Sequence, residues 1–535
     1  MQVKETMYKR YFYISLLLTV LSPTLVKSSL ILDDEAPIDG YKGRLCGIGD
    51  LNKDGNTDII AQQDAALYLH LQSEQGIFRN ATDKPIGINV STNRASCFVG
   101  DFNGDTIADI LVVEGSGNPK EEKFIASIIF MDRNFNYNIT KIEHIFYDEP
   151  IVVDIDGDGM SDIIGFDFAT QKMICIGGET SFQSKSCNNL FDHKDFEKSS
   201  KFKPIRYFPH IFADFDGDLK ADLVFGYKIE TKVVLVMYRM RQSDSMWVIE
   251  ENAIAKMPKE YDERKLASPI VSDFDADGHL DIAFPICSDD NCKKIEKFII
   301  WSNKGDKTSH GEYFYFGVDS KESDLVMSDI DGKIMFRVGD FNLDGFPDLV
   351  AVAKINNGEH PVILESIECS GCGGNVTRKF EMKTTQRLIE PSNMSNGQVK
   401  IAAFFDLKED GNLDIMAEYT DATGDTRHDF IKCDDKGDTT FMKVQIYTDV
   451  CQSNCPKPVL ALGGSGVAWH GACAYYSMTD SWGSLKQSMK CQMPQTNQRL
   501  FMGPYILFGL GRSPNYINEF KLGGPYKYIP GILLS

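Results

Sequence analysis

The stretch that decides the fold is PIVVDIDGDGMSDIIGF, residues 150–166. Asp154, Asp156, Asp158 and Asp162 fall at positions 1, 3, 5 and 9 of a nine-residue loop, between two short apolar runs rich in β-branched residues. Runs so brief and so apolar read as buried strands rather than helices, and the acidic loop joins them.

The same unit recurs along the chain. Before it come Asp50, Asn52, Asp54, Asp58 and Asp101, Asn103, Asp105, Asp109; after it come Asp214, Asp216, Asp218, Asp222 and Asp273, Asp275, Asp277, Asp281. A sixth copy reads Asp340, Asn342, Asp344, Asp348, and a seventh keeps Asp406, Asp410 and Asp414 but has Lys408 at its third position. Successive loops start 51 to 67 residues apart, room for about four strands of five or six residues with their turns. Self-similarity at that period marks a propeller. The expected fold is therefore all-β: a seven-bladed β-propeller over residues 33–450 with every acidic loop at one end, followed by a small disulfide-containing, β-rich domain over residues 451–535.

Carboxylates at positions 1, 3, 5 and 9, with a backbone carbonyl at position 7, can wrap a hard cation in oxygen when the chain turns sharply at position 6. Gly55, Gly159, Gly278, Gly345 and Gly411 supply that turn, and the other two loops are read as having the glycine one residue earlier. The 24 residues named at these positions in the first six loops are the expected Ca2+ ligands. The seventh loop is expected to bind weakly or not at all, and replacing Lys408 by Asp to restore a site there. An EF-hand needs a bidentate Glu at its twelfth position between two helices; here that position holds Ala61, Val112, Gly165, Phe225, Phe284, Ala351 and Ala417, so the loop must close on its ninth-position Asp.

The net charge of −21 excludes an electrostatic nucleic-acid binder, which needs clustered Lys and Arg to displace phosphate counterions. Residues 1–28 combine Lys4, Lys9 and Arg10 with an apolar run ending in small residues, the pattern of a signal peptide. Sequons at Asn80, Asn89, Asn138, Asn375 and Asn393 fit the secretory route. In that compartment the 13 cysteines read as disulfides before zinc ligands, with Cys175–Cys187 and Cys287–Cys292 as hairpin staples. Downstream of the leader no apolar run reaches the about 20 residues a membrane span requires, so the chain as written is expected to be secreted, with no membrane anchor of its own.

The acidic loops resemble the FG-GAP type calcium-binding repeats of integrin α-chain propellers, over roughly residues 33–450. Together with the segment CSGCGG (Cys369–Gly374) and the string FGLGRSPNYINEF (Phe508–Phe520), they resemble the T-cell immunomodulatory protein family. That resemblance implies a glycosylated type I cell-surface protein that modulates immune responses, anchored by a C-terminal membrane helix that this chain lacks.

No catalytic constellation emerges: the nine histidines are scattered, with no H-E-x-x-H spacing, and the run Gly463–Val467 fails the G-x-S-x-G pattern at its last position. The expected function is a calcium-stabilised module that binds a cell-surface protein partner. The alternative is a glycan-binding propeller lectin. Trp247, Trp301, Trp469 and Trp482 share no repeat position, which counts against aromatic sugar pockets repeated between blades.

Overall fold

A computed structural model describes residues 14–17, 41–73, 76–88, 95–116, 122–178, 185–192, 202–206, 208–229, 232–241, 243, 245–249, 255–256, 267–288, 294–303, 312–318, 326–327, 334–355, 358–369, 378–384, 399–431, 439–448, 467–480, 483–495, 500–512, 516–526 and 528–529. Among these residues the structure is all-β, with one short 3-10 turn at Asn188–Leu190 and no helix long and apolar enough to cross a membrane.

Seven antiparallel units, called sheets below, each carry one acidic loop between two neighbouring strands; the fifth and sixth are continuous, joined by a parallel pairing of Glu312–Val318 with Arg378–Thr384. In the first sheet these strands are Arg44–Gly49 and Asp58–Gln63; in the third they are Ile151–Val153 and Asp162–Phe166. One register repeats throughout: the residue before position 1 pairs with the position-9 aspartate. The pairs are Gly49 with Asp58, Gly100 with Asp109, Val153 with Asp162, Ala213 with Asp222, Ser272 with Asp281, Gly339 with Asp348 and Phe405 with Asp414. Each loop is thus an eight-residue hairpin connection, positions 1–8, and the position-9 aspartate is already the first residue of the next strand.

Apolar side chains alternate to both faces of these sheets, so each sheet buries one face against its predecessor and one against its successor. Phe98 and Leu111 of the second sheet meet Val152 and Ile163 of the third, and Phe166 meets Phe225 and Trp247 of the fourth. The fifth and sixth pack through Phe298, Phe336 and Phe380, the sixth and seventh through Val350, Phe404 and Ile415. The series then returns to its start, because Phe405 and Met416 of the seventh sheet pack on Leu45 and Ile59 of the first. The seventh sheet borrows its outer strand from the front of the chain: Tyr41–Lys42 pairs with His428 and Arg427 of Thr426–Ile431. Pairing a strand that precedes the first acidic loop with one that follows the seventh closes the cycle by backbone hydrogen bonds.

The C-terminal part is a second stack of sheets. Thr440–Ile446 pairs with Ile506–Gly511, while Cys473–Thr479 pairs with Leu485–Cys491 and Ile517–Gly523. Val444, Ile446, Tyr476, Phe508 and Leu522 form the core between them. Thr440–Ile446 lies before the expected boundary at residue 451, so the strands of this module begin earlier than composition suggested. Of the expected leader only Ile14–Leu17 is described; it forms a strand against Thr440–Ile446.

Cys175–Cys187 is bonded as expected, and Cys473–Cys491 staples the C-terminal module. Cys287 is also disulfide-bonded, while Cys292 lies outside the described residues. Spacing gave no hint of Cys46–Cys97, which ties the first strands of the first two sheets across 51 residues. Of the sequons, Asn80 and Asn138 are exposed on strands; the other three lie outside the described residues. Since a cross-link over a loop of that length removes much unfolded-chain entropy, the double substitution Cys46→Ser, Cys97→Ser is expected to cost about 2–4 kcal/mol. Urea unfolding followed by tryptophan fluorescence checks this; an unchanged midpoint would contradict it.

Candidate metal centres

Each acidic loop is built by its own backbone amides. In all seven, the amide at position 6 donates to Oδ2 of the position-1 aspartate, at 2.7–3.0 Å. The amide at position 7 donates to Oδ1 of the position-5 aspartate at 2.8–3.0 Å. The amide at position 2 donates to Oδ2 of the position-9 aspartate at 2.7–3.3 Å. Three carboxylates are thereby fixed around one small volume before any ligand arrives.

This winding needs left-handed backbone at two places. Positions 4 and 6 both have positive φ in every loop, from 54° at Glu409 to 95° at Gly345, a region that side chains other than glycine enter at a cost. At least one of the two is glycine in each loop. Where position 6 is Thr106 or Leu219, position 4 is Gly104 or Gly217, so the compensating glycine lies two residues earlier, not one as expected.

The fourteen aspartates at positions 1 and 9 are no more than 4% exposed. Burial in low dielectric opposes their ionisation, and neighbouring carboxylates oppose it further. Without a cation, desolvation pushes Asp50, Asp101 and Asp214 up to about 7, and Asp58, Asp154 and Asp273 up to about 8. Asp109, Asp162, Asp222, Asp281 and Asp348 are raised well above the usual carboxylate range by the same cause.

The all-aspartate loops gather the tightest donor sets. Carboxylate oxygens of Asp154, Asp156 and Asp162, of Asp214, Asp216 and Asp218, and of Asp273, Asp275 and Asp281 lie within 4.8 Å of one another in each group. Oxygen-only donors clustered this closely fit a hard divalent cation. In the sixth loop the buried Asp340 Oδ1 accepts no hydrogen bond, while its Oδ2 takes the Gly345 amide, so the donor set there keeps an oxygen in reserve. The fourth loop differs: Arg239 Nε lies 3.6 Å from Asp216 and 3.5 Å from Asp222, offsetting part of the charge.

What sequence reasoning missed is what lies over the loops. The C-terminal module seats on the acidic face, and the same Oδ2 that accepts the position-6 amide accepts a donor from that module in four loops. Trp469 Nε1 donates to Asp154 at 3.1 Å, the Met489 amide to Asp273 at 3.2 Å, the Gly509 amide to Asp340 at 2.9 Å and Lys443 Nζ to Asp406 at 2.8 Å. Elsewhere the module reaches loop backbone: Gln445 Nε2 donates to the Gly55 carbonyl at 2.9 Å, Gln487 Nε2 to that of Asp277 at 2.6 Å and Tyr526 Oη to that of Asp154 at 2.6 Å. In the seventh loop, where Lys408 was expected to interfere, that side chain is exposed, and the ammonium among the carboxylates is Lys443.

Sheets joined by such loops, with a β-module seated over them, define a class. The FG-GAP-like repeat family matches residues 50–112, and the family described as ITFG1, C2 domain matches residues 464–529. Protein linkin of Caenorhabditis elegans is 35% identical over 515 residues, covering 94% of this chain and 83% of that protein. The T-cell immunomodulatory protein of Homo sapiens is 27% identical over 507 residues, covering 90% and 77% respectively. Among solved structures, an exotype rhamnogalacturonan lyase aligns over 87% of this chain and 92% of that one at 12% identity, with a TM-score of 0.33, a likeness that carries no argument. The chain is an FG-GAP-repeat protein with a C-terminal C2 module. It belongs to the family of T-cell immunomodulatory protein and linkin.

A carboxyl whose pKa is raised on folding contributes stability below its unfolded value and loses it as pH climbs to the folded value. With chelator present, the melting temperature is therefore expected to fall between pH 5 and pH 8, the interval between the ordinary carboxylate range and the values near 7 and 8 above. Saturating calcium, which binds the ionised form, should flatten or reverse that slope. Differential scanning fluorimetry in both conditions measures it; parallel pH profiles would contradict it.

Proposed function

We propose that this chain is a calcium-stabilised, extracellular protein-interaction module: its sheets are the seven blades of one propeller, and calcium at the first six loops holds the blades and the C2 module together. The observation that carries this reading is the burial of the position-1 and position-9 aspartates beneath the C2 module. A cation there lies in a joint between two parts of the protein, which suits a structural ion rather than one that activates a substrate. The outer strands of the sheets are left for a protein partner on a cell surface, in keeping with the family's naming as immunomodulatory.

The candidate ligands are the 24 residues of the first six loops. At dissociation constants of about 10⁻⁴ to 10⁻³ M, the extracellular range, millimolar calcium adds roughly 0.4–1.4 kcal/mol per site by mass action. Six such sites together rival the net stability of an ordinary domain. Chelation is expected to lower the melting temperature by several degrees, and calorimetric titration to count six ions; a melting curve indifferent to chelator would overturn the reading.

A lectin would stack sugars on accessible aromatic rings, whereas Trp247 and Trp469 are buried and donate their indole N–H groups to Ile155 and Asp154. To separate the two readings, the labelled protein is applied to intact cells. Binding is expected to disappear after the cell surface is shaved with protease and to survive enzymatic removal of glycans. The opposite pattern would favour the lectin.

A further inference from the structure

We propose that the Lys443 ammonium is the built-in cation of the seventh loop, clasping the first sheet, the last sheet and the C2 module together at a site that needs no metal. The proposal rests on the calcium reading for what the other loops hold, but its geometry stands by itself. Lys443 projects from Thr440–Ile446 with its side chain 5% exposed, and its Nζ lies 2.8 Å from Asp406 Oδ2, where Asp406 is fully buried. It also hydrogen-bonds Glu409 Oε2 and sits over the Tyr505 ring, 4.1 Å from its centroid.

The seventh loop is reorganised to receive this lysine. Its third position has turned cationic and exposed in Lys408, while its fourth, glycine or a residue without a carboxylate in the other six, has become Glu409. Glu409 holds a left-handed backbone, with φ of 54°, that a side chain adopts only against a strain cost. The acid lost from one position thus reappears at the next, where it faces the ammonium. In the three other loops whose position-1 Oδ2 takes a donor from the C2 module, that donor is a neutral indole or backbone amide.

Three bodies meet at this point. Glu409 Oε1 accepts the Thr57 amide of the first loop at 3.0 Å. Gln445, on the same strand face as Lys443, donates to the Gly55 carbonyl of that loop at 2.9 Å. The first and seventh sheets are also the two that Tyr41–Lys42 joins, so the clasp lies on the seam that closes the cycle. A covalently tethered cation cannot be diluted away, and it leaves the seam intact when the metal-binding loops are empty.

The test uses the intact chain and its variants Lys443→Met, Lys443→Arg, Lys408→Asp and the double variant Lys408→Asp, Lys443→Met, with two readouts. In chelator, Lys443→Met is expected to melt roughly 5 °C or more below wild type, because removing one partner strands buried charge, while Lys443→Arg stays near wild type. In calcium, with bound metal counted per chain, Lys408→Asp alone is expected to gain no ion and the double variant to gain one. The proposal is overturned if Lys443→Met melts with wild type in chelator, if Lys408→Asp alone gains an ion, or if the folded double variant gains none. Should the double variant fail to fold, the chelator melts of Lys443→Met and Lys443→Arg decide. Wild-type protein that binds no calcium would sink the calcium reading and leave the chelator melts to judge the lysine.

Discussion

A carboxylate oxygen shared between its own loop and the C-terminal module is the contact on which this molecule depends. Oδ2 of each position-1 aspartate accepts the amide that winds its own loop, and in four loops it also accepts a donor from the C2 module. Hydrogen bonds to an ionised acceptor are stronger than neutral ones, so both contacts gain when the carboxylate is charged. Burial works the other way and favours the protonated form. A bound cation would resolve the conflict, since it would hold the aspartates ionised inside a low-dielectric joint. Loop winding, blade spacing and module docking are therefore coupled through one group.

The coupling also accounts for the seventh loop. A site at the seam between first and last sheets helps to close the cycle, beside the point where the Tyr41–Lys42 strand of the seventh sheet runs through Gly43 into Arg44–Gly49 of the first. The apolar contacts of Phe405 and Met416 with Leu45 and Ile59 close the core, and the Tyr41–Lys42 strand closes the sheet. At the rim the same seam is held by the ion pair of Lys443 with Asp406 and Glu409. The other loops sit between sheets that follow one another directly in the chain, and they can tolerate a dissociable ion.

Much of this was legible in the sequence, for a definite reason. A loop wound by its own amides needs Asp at fixed positions and glycine nearby, and strands buried on both faces need unbroken apolar runs, so both leave local patterns. The grouping of Asp154, Asp156 and Asp162 and a strand running on from each acidic loop followed from the repeat, although the strand begins at the ninth-position aspartate itself, one residue before the Ile or Leu that opens the apolar run. Contacts between distant segments leave no such pattern. Lys443 lies 37 residues from Asp406 and Trp469 lies 315 from Asp154, and nothing in KVQI or VAWH announces an acidic partner. The pairing of Thr440–Ile446 with Ile506–Gly511 was hidden likewise, because a strand's sheet is fixed by its partner and not by its composition. Local reading singles out Lys408, which sits in the motif and is exposed, and passes over Lys443, which sits outside it.

The account turns on whether cations in the acidic loops hold the C2 module on the ring of sheets. Amide hydrogen exchange on the intact protein, followed by mass spectrometry with and without chelator, tests this most directly. The expected result is a joint loss of protection on calcium removal in the third, fifth and sixth loops and in the segments of the C2 module that donate to them, around Trp469, Met489 and Gly509. Protection at the seventh loop and at residues 440–446 should persist. Exchange that is unchanged by chelator, or that rises in the loops while the C2 segments stay protected, would contradict the account.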